Sequence, residues 1–205
     1  MLFGFAEGGL ELRARKGGGA TISGRFPYGS TATLSDGGRN GGRPRKERFK
    51  SGAFKYSVDT SDLDIHFLSG HDFGKALASR NSGSLILEDT ADALIFEARL
   101  SAEVLETSHG KDFMAMMSAG LVGGISPGFR IPPPSAVKEP ETVIEEDPSE
   151  GRALIREINQ ALLYEISAVT RPAYDQTQID SRSWELAAPV PHIERNQSAR
   201  YRWRL

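Results

Sequence analysis

Glycine and proline interrupt this chain too often for a helical bundle. Its 22 glycines and 11 prolines among 205 residues leave only short runs between turns, and a chain so divided favours a β or α+β fold. Seven runs read as strands: Ala20 to Tyr28, Leu63 to Leu68, Ser84 to Glu88, Ala93 to Leu100, Ser126 to Ile131, Ala153 to Ile158 and Ala161 to Val169. The link Asp89-Thr90-Ala91-Asp92 is short and polar, which predicts a hairpin between the third and fourth. Helical spacing is clear in one place. From Ser108 onward, Phe113, Met114, Met116, Met117 and Leu121 share one broad apolar face, with Gly120 marking the helix end. The methionines there read as core filling. Together these elements predict a mainly β (α+β) architecture, a small β-barrel or strongly curved sheet with helices packed outside it.

At this length the chain suits one domain with tails. Residues 1–19 end in Lys16-Gly17-Gly18-Gly19 and read as a flexible N-terminal segment, residues 20–175 as the folded domain, and residues 176–205 as a polar, Arg-bearing C-terminal tail. Within the domain, Ser35 to Arg45 is a Gly/Arg loop. The stretch 132–150 begins with three prolines, turns acidic and reads as a surface loop. The formal net charge is only −2, but it is uneven: Arg39 to Lys50 is basic, Glu139 to Glu150 acidic, and Arg195 to Arg204 basic again. Such runs read as solvated loops or tails, or as contacts with an oppositely charged partner. The balance implies no general nucleic-acid partner, and no apolar run approaches membrane-spanning length. Met1 to Glu7 lack a basic flank before an apolar core, so no export signal is expected. The absence of cysteine excludes a disulfide scaffold, a thiol nucleophile and thiolate metal sites, and it fits a reducing compartment.

One stretch has the composition of a reactive site. In Gly123-Gly124-Ile125-Ser126-Pro127-Gly128-Phe129 a lone serine lies among glycines that let a substrate backbone approach closely. The same pattern also suits a plain glycine-rich strand start. A serine nucleophile needs a base within about 2.6–3.2 Å, and histidine, with an ordinary pKa of about 6.5, is the usual one. Of the four histidines, His192 lies in the tail, His109 at a helix start and His66 inside a strand. His71 sits in the turn Ser69-Gly70-His71-Asp72-Phe73-Gly74, from which a ring can reach another strand end. His71 is the favoured base, with an ordinary surface residue as the alternative. The third group is Glu165, a carboxylate in the apolar run Leu162 to Val169. Strand alternation puts it on one face with Leu163, Ser167 and Val169. Two readings of Glu165 stand: an outward or Arg156-paired residue, or the acid that fixes the His71 tautomer and stabilises its imidazolium. Ser167 is a weaker second nucleophile, because no glycines open space around it. His66 and His71 lack helical zinc spacing and no phosphate-loop pattern occurs, so no metal or other cofactor is expected.

With these residues in order, the chain resembles the tailed-phage prohead (capsid maturation) serine proteases, which are related to the herpesvirus assemblins. The resemblance runs from Gly52-Ala53-Phe54 through His71-Asp72, the Asp89 to Leu94 hairpin and Gly124-Ile125-Ser126-Pro127-Gly128-Phe129. It closes on Glu165-Ile166-Ser167-Ala168-Val169 and Arg171-Pro172-Ala173. It implies a single assemblin-like β-barrel ringed by helices, with 20–175 as the protease domain of a serine endopeptidase. It also implies Ser126 as nucleophile, His71 as general base and Glu165 as orienting acid. His109 or His66 stays open as a substitute for Glu165, since assemblins carry a histidine in the third position. The implied substrates are a scaffold protein or the scaffolding extension of the major capsid protein, together with the protease itself. The implied place is the assembling prohead in the bacterial host cytoplasm, with self-association as a further expectation. Pro127 stands where many relatives carry an aliphatic residue and has no amide for an oxyanion. The Gly128 amide and Arg156 or Arg152 are then the candidate donors or supports. A non-catalytic β-barrel assembly or scaffold protein is the alternative function.

Overall fold

The computed structural model describes residues 2–6, 10–15, 17–38, 41–59 and 62–170. The expectations for His192, for Arg171-Pro172-Ala173 and for the tail from 176 onward lie outside the described residues. In chain order the first strands are β1 (Leu2–Ala6), β2 (Leu10–Ala14), β3 (Ala20–Pro27), β4 (Ala32–Ser35) and β5 (Arg45–Phe49). The short helix α1 (Lys55–Asp59) precedes β6 (His66–Ser69), β7 (Asp72–Ser79), β8 (Leu85–Asp89) and β9 (Ala93–Leu100). Helices α2 (Ala102–Glu106) and α3 (Ser108–Ser118) then lead into β10 (Gly124–Arg130), β11 (Glu141–Glu145), β12 (Leu154–Ile158) and β13 (Leu162–Val169).

The strands form three sheets with the orders β1-β2-β3-β9-β8, β10-β13-β6-β7 and β11-β12-β5-β4. The first is antiparallel throughout, whereas the other two each contain one parallel pair, β13 with β6 and β12 with β5. The chain is mainly β, as its turn frequency predicts. The expected single barrel of about seven strands is not confirmed: the thirteen described strands form three sheets and no closed barrel. The additional strands lacked a legible pattern. β1 and β2 fall in the segment expected to be flexible, yet Leu10 and Leu12 alternate into the core. β11 falls in the expected acidic loop and pairs with β12 along its whole length. β5 is charged at four of its five positions, Arg45-Lys46-Glu47-Arg48, which hid it.

The third sheet also shows what the uneven charge is for. The basic and acidic runs meet each other: Arg43 Nη1 lies 2.8 Å from Glu145 Oε1, and Lys46 pairs with Glu146. Arg156 is buried between Glu47 and Glu141.

The predicted hairpin is β8–β9, closed by Thr90, whose hydroxyl donates to Ala93 O and accepts the Ala93 N–H. The predicted helix is α3. Thr107 caps its start by accepting the Gly110 N–H, and its end is a Schellman motif. There Gly120, at φ 70°, donates to Met117 O and Leu121 to Met116 O. Phe113 is buried, and Met114, Met116 and Met117 pack against the core as expected, but Leu121 lies beyond the helix end and is exposed. The core holds two aromatic groups, Phe26, Phe49, Phe54 and Phe129 in one and Phe67, Phe96 and Phe113 in the other. Among the described residues no helix is long and apolar enough to cross a membrane.

Candidate active site

The second sheet carries the site. β13 has β10 on one side and the β6–β7 hairpin on the other, so one strand borders both Ser126 and His71. Its antiparallel register pairs Ser126 with Ser167 and Gly128 with Glu165, and paired residues share a face. The intervening Ile125, Ile166 and Ala168 turn the other way into the core. A register shift between Gly128 and Phe129 ends this alternation. Leu163, expected beside Glu165, therefore packs in the core with Ile166. Pro127 is accommodated because β10 is an edge strand of its sheet, where a missing donor breaks no second ladder.

His71 reaches this face from a two-residue turn. Ser69 and Asp72 pair across the hairpin, and between them Gly70 and His71 have φ of 68° and 61°. Two consecutive left-handed residues are the type I′ pattern, which matches the twist of paired strands. Glycine adopts it freely, whereas a histidine there costs about 1–2 kcal/mol. Two bonds to β13 hold the turn against that cost. The Gly70 N–H donates to Ala168 O at 3.0 Å, and the His71 N–H donates to Ser167 Oγ at 2.9 Å.

The side chains continue the network. His71 Nδ1 lies 2.6 Å from Glu165 Oε1, and with the carboxylate as acceptor Nδ1 carries the proton and Nε2 keeps its lone pair. The bond from Glu165 raises the imidazole pKa above its ordinary 6.5, against the opposing effect of partial burial. Ser167 Oγ donates to Glu165 Oε2 at 2.6 Å. Each carboxylate oxygen thus has its own donor, which is how a residue only 4% exposed can stand as an acid in an apolar strand. Glu165 also needs the absence of a neighbour. A Cβ on Gly128 would lie 1.9 Å from Glu165 Oε1, so glycine leaves the space the carboxylate fills.

His71, Glu165 and Ser167 are therefore joined directly, and Ser126 lies one register pair across from Ser167. The expected contact between His71 and Ser126 is not made: Ser126 is 1% exposed and its hydroxyl has no hydrogen-bond partner among the described residues. The other candidates stand apart. Arg156 belongs to the third sheet, where its Nη1 lies 2.9 Å from Glu47 Oε2 and its guanidinium also binds Glu141. Among the described residues it does not pair with Glu165. Arg152 donates to Gly41 O and Gly42 O, in the loop before β5. His109 Nε2 lies 3.2 Å from Ala76 O, and His66 lies 3.4 Å from Asp64 and edge-on to Phe73. Among the described residues it is Glu165, and neither of these histidines, that meets the His71 ring. Sequence reasoning missed what Ser167 and Gly128 do. The signal was present as strand spacing, since each lies two residues after a candidate, Glu165 and Ser126 respectively.

In comparison with known protein families, residues 20–189 match the sequence profile described as caudovirus prohead serine protease. No curated protein and no solved structure gives a match.

Proposed function

The chain belongs to the caudovirus prohead serine protease family, and from that premise we propose that it is a serine endopeptidase with Ser126 as nucleophile, His71 as general base and Glu165 as orienting acid. The observation that carries this reading is the 2.6 Å bond from His71 Nδ1 to Glu165, on the face that Ser126 shares. It leaves Nε2 as the basic nitrogen, the tautomer a serine hydrolase needs. Ser126 Oγ attacks the scissile carbonyl while His71 Nε2 takes its proton. The imidazolium, stabilised by Glu165, then protonates the leaving amine, and an acyl-enzyme forms at Ser126. Water, activated by the same nitrogen, hydrolyses that ester and restores the hydroxyl. Productive geometry requires Oγ within about 2.6–3.2 Å of Nε2, a contact that can close on substrate binding. Ser126 is buried, so a peptide reaches it only after the surrounding chain yields.

The substrates we propose are a scaffold protein or the scaffolding extension of the major capsid protein within the immature phage capsid, and the protease itself. Residues 20–175 form the protease domain in this reading, and the tail from 176 is a segment it removes. The test is a fluorophosphonate label located by peptide mass, run beside co-expression with the capsid precursor. A label on Ser126, lost in Ser126→Ala together with processing, is the expected result. Undiminished processing by Ser126→Ala overturns the assignment. A wild-type protein that neither takes label nor processes the precursor favours a non-catalytic assembly role.

A further inference from the structure

We propose that Ser167 is a positioning residue for the reaction, holding both the acid and the base through one hydroxyl. This rests on the assignment of His71 and Glu165 above, and it replaces the alternative of Ser167 as nucleophile.

The geometry leaves that hydroxyl no other task. Its proton goes to Glu165 Oε2 at 2.6 Å, and its oxygen accepts the His71 N–H at 2.9 Å. An Oγ engaged on both sides by fixed groups, on a residue with no exposed surface, is poorly placed to attack a carbonyl. It is well placed to fix two things at once. With Oε2 held, the carboxylate cannot rotate about its last torsion, so Oε1 stays aimed at His71 Nδ1. With the amide held, His71 stays in the left-handed backbone conformation that a non-glycine residue otherwise leaves. Imidazole position depends on both, because the ring hangs from that backbone and leans on that carboxylate. Ser167 is also the register partner of Ser126, so the tie sits at the strand position that faces the proposed nucleophile.

Other charges near His71 are engaged elsewhere. Asp72 accepts the Gly74 N–H and pairs with Lys75, His109 meets Ala76 O, and His66 meets Asp64. Glu165 is therefore the group through which Ser167 acts on the ring, and its influence has a signature that plain packing lacks. In Ser167→Ala the carboxylate is free to turn, the support that raises the His71 pKa weakens, and the acid limb of the rate profile moves to lower pH.

The experiment compares wild type, Ser126→Ala and Ser167→Ala in the full chain, with fluorophosphonate labelling followed from pH 5 to 9 (roughly two pH units about a normal histidine pKa). Ser167→Ala is expected to label on Ser126 about 10–100-fold more slowly, the range spanned by one hydrogen bond to a charged group, with its acid limb displaced downward. Wild-type rate and an unmoved limb overturn the proposal while leaving Ser126 as nucleophile. A wild-type label found on Ser167 overturns it together with that assignment, and labelling that survives Ser126→Ala without touching Ser167 refutes the nucleophile alone. A slower rate with an unmoved limb means a structural role only and also refutes it. Should Ser167→Ala fail to fold, amide exchange in the unsubstituted protein decides. The His71 amide is expected to be protected, and exchange as fast as an open turn rejects the tie.

Discussion

Gly128→Ala adds one methyl group, and the structure says where it goes. Gly128 is not in a left-handed conformation, so alanine is compatible with its backbone. The added carbon would lie 1.9 Å from Glu165 Oε1, 2.6 Å from Cδ and 2.7 Å from Cγ, against 3.4 Å or more for ordinary contact. The carboxylate must retreat by about 1.5 Å, the difference between 3.4 and 1.9. That shift is enough to take Oε1 out of the 2.6 Å bond with His71. Overpacking and the loss of a charge-assisted bond together cost about 2–5 kcal/mol, or about 4–20 °C in a domain of this size. Labelling of Ser126 should fall about 10–100-fold in the fraction that remains folded. Differential scanning calorimetry and labelling kinetics read the two effects separately. Combining Gly128→Ala with Glu165→Asp, which draws the carboxylate back by one methylene, should cost at least about 1 kcal/mol less than the sum of the single changes. A Gly128→Ala protein with wild-type melting and labelling would refute the claim that glycine is there to make room for the acid.

Three further outcomes follow from the same face of the sheet. Ser126→Ala removes a buried hydroxyl that has no partner among the described residues, so denaturant unfolding should show it more stable by about 1 kcal/mol while label is lost; a destabilised variant would mean the hydroxyl is held after all. The raised pKa of His71 sets two opposite pH trends. The extra stability that the charged ring gains from Glu165 is fully present below the ordinary histidine pKa and is lost as pH rises through the raised one, whereas base catalysis needs the neutral ring, which keeps its Nδ1–H bond to the carboxylate, and grows over that interval. Glu165→Gln should lower the acid limb of the labelling rate, and a limb left in place would show that Glu165 does not set it.

The sequence revealed elements whose side chains alternate or repeat against water, and it hid elements whose partners are distant. The β8–β9 hairpin and α3 were legible because Thr90, Thr107 and Gly120 are local signals acting within a few residues. β5 and β11 were not, because their charges are neutralised across about a hundred residues, Lys46 by Glu146 and Arg43 by Glu145. The same difference divides the site. His71 was suggested by its glycine-flanked turn and Glu165 by a carboxylate in an apolar strand, each an oddity in its own neighbourhood. That Ser167 ties them together depends on the parallel pairing of β13 with β6, which no local pattern announces. The expected barrel is not confirmed, and the sequence alone could not decide it, since open sheets and closed ones use the same alternating strands.

The order of strands in the second sheet has a consequence for synthesis. The hairpin bearing His71 and the strand bearing Ser126 are both made before β13, yet β13 is what lies between them. A nascent chain that has emerged only as far as Arg130 holds two outer pieces with nothing to join them and no Glu165 carboxylate beside His71. If the proposed site is right, cleavage cannot begin until this last described strand has been made and has slid into the gap, so the order of synthesis itself delays the protease.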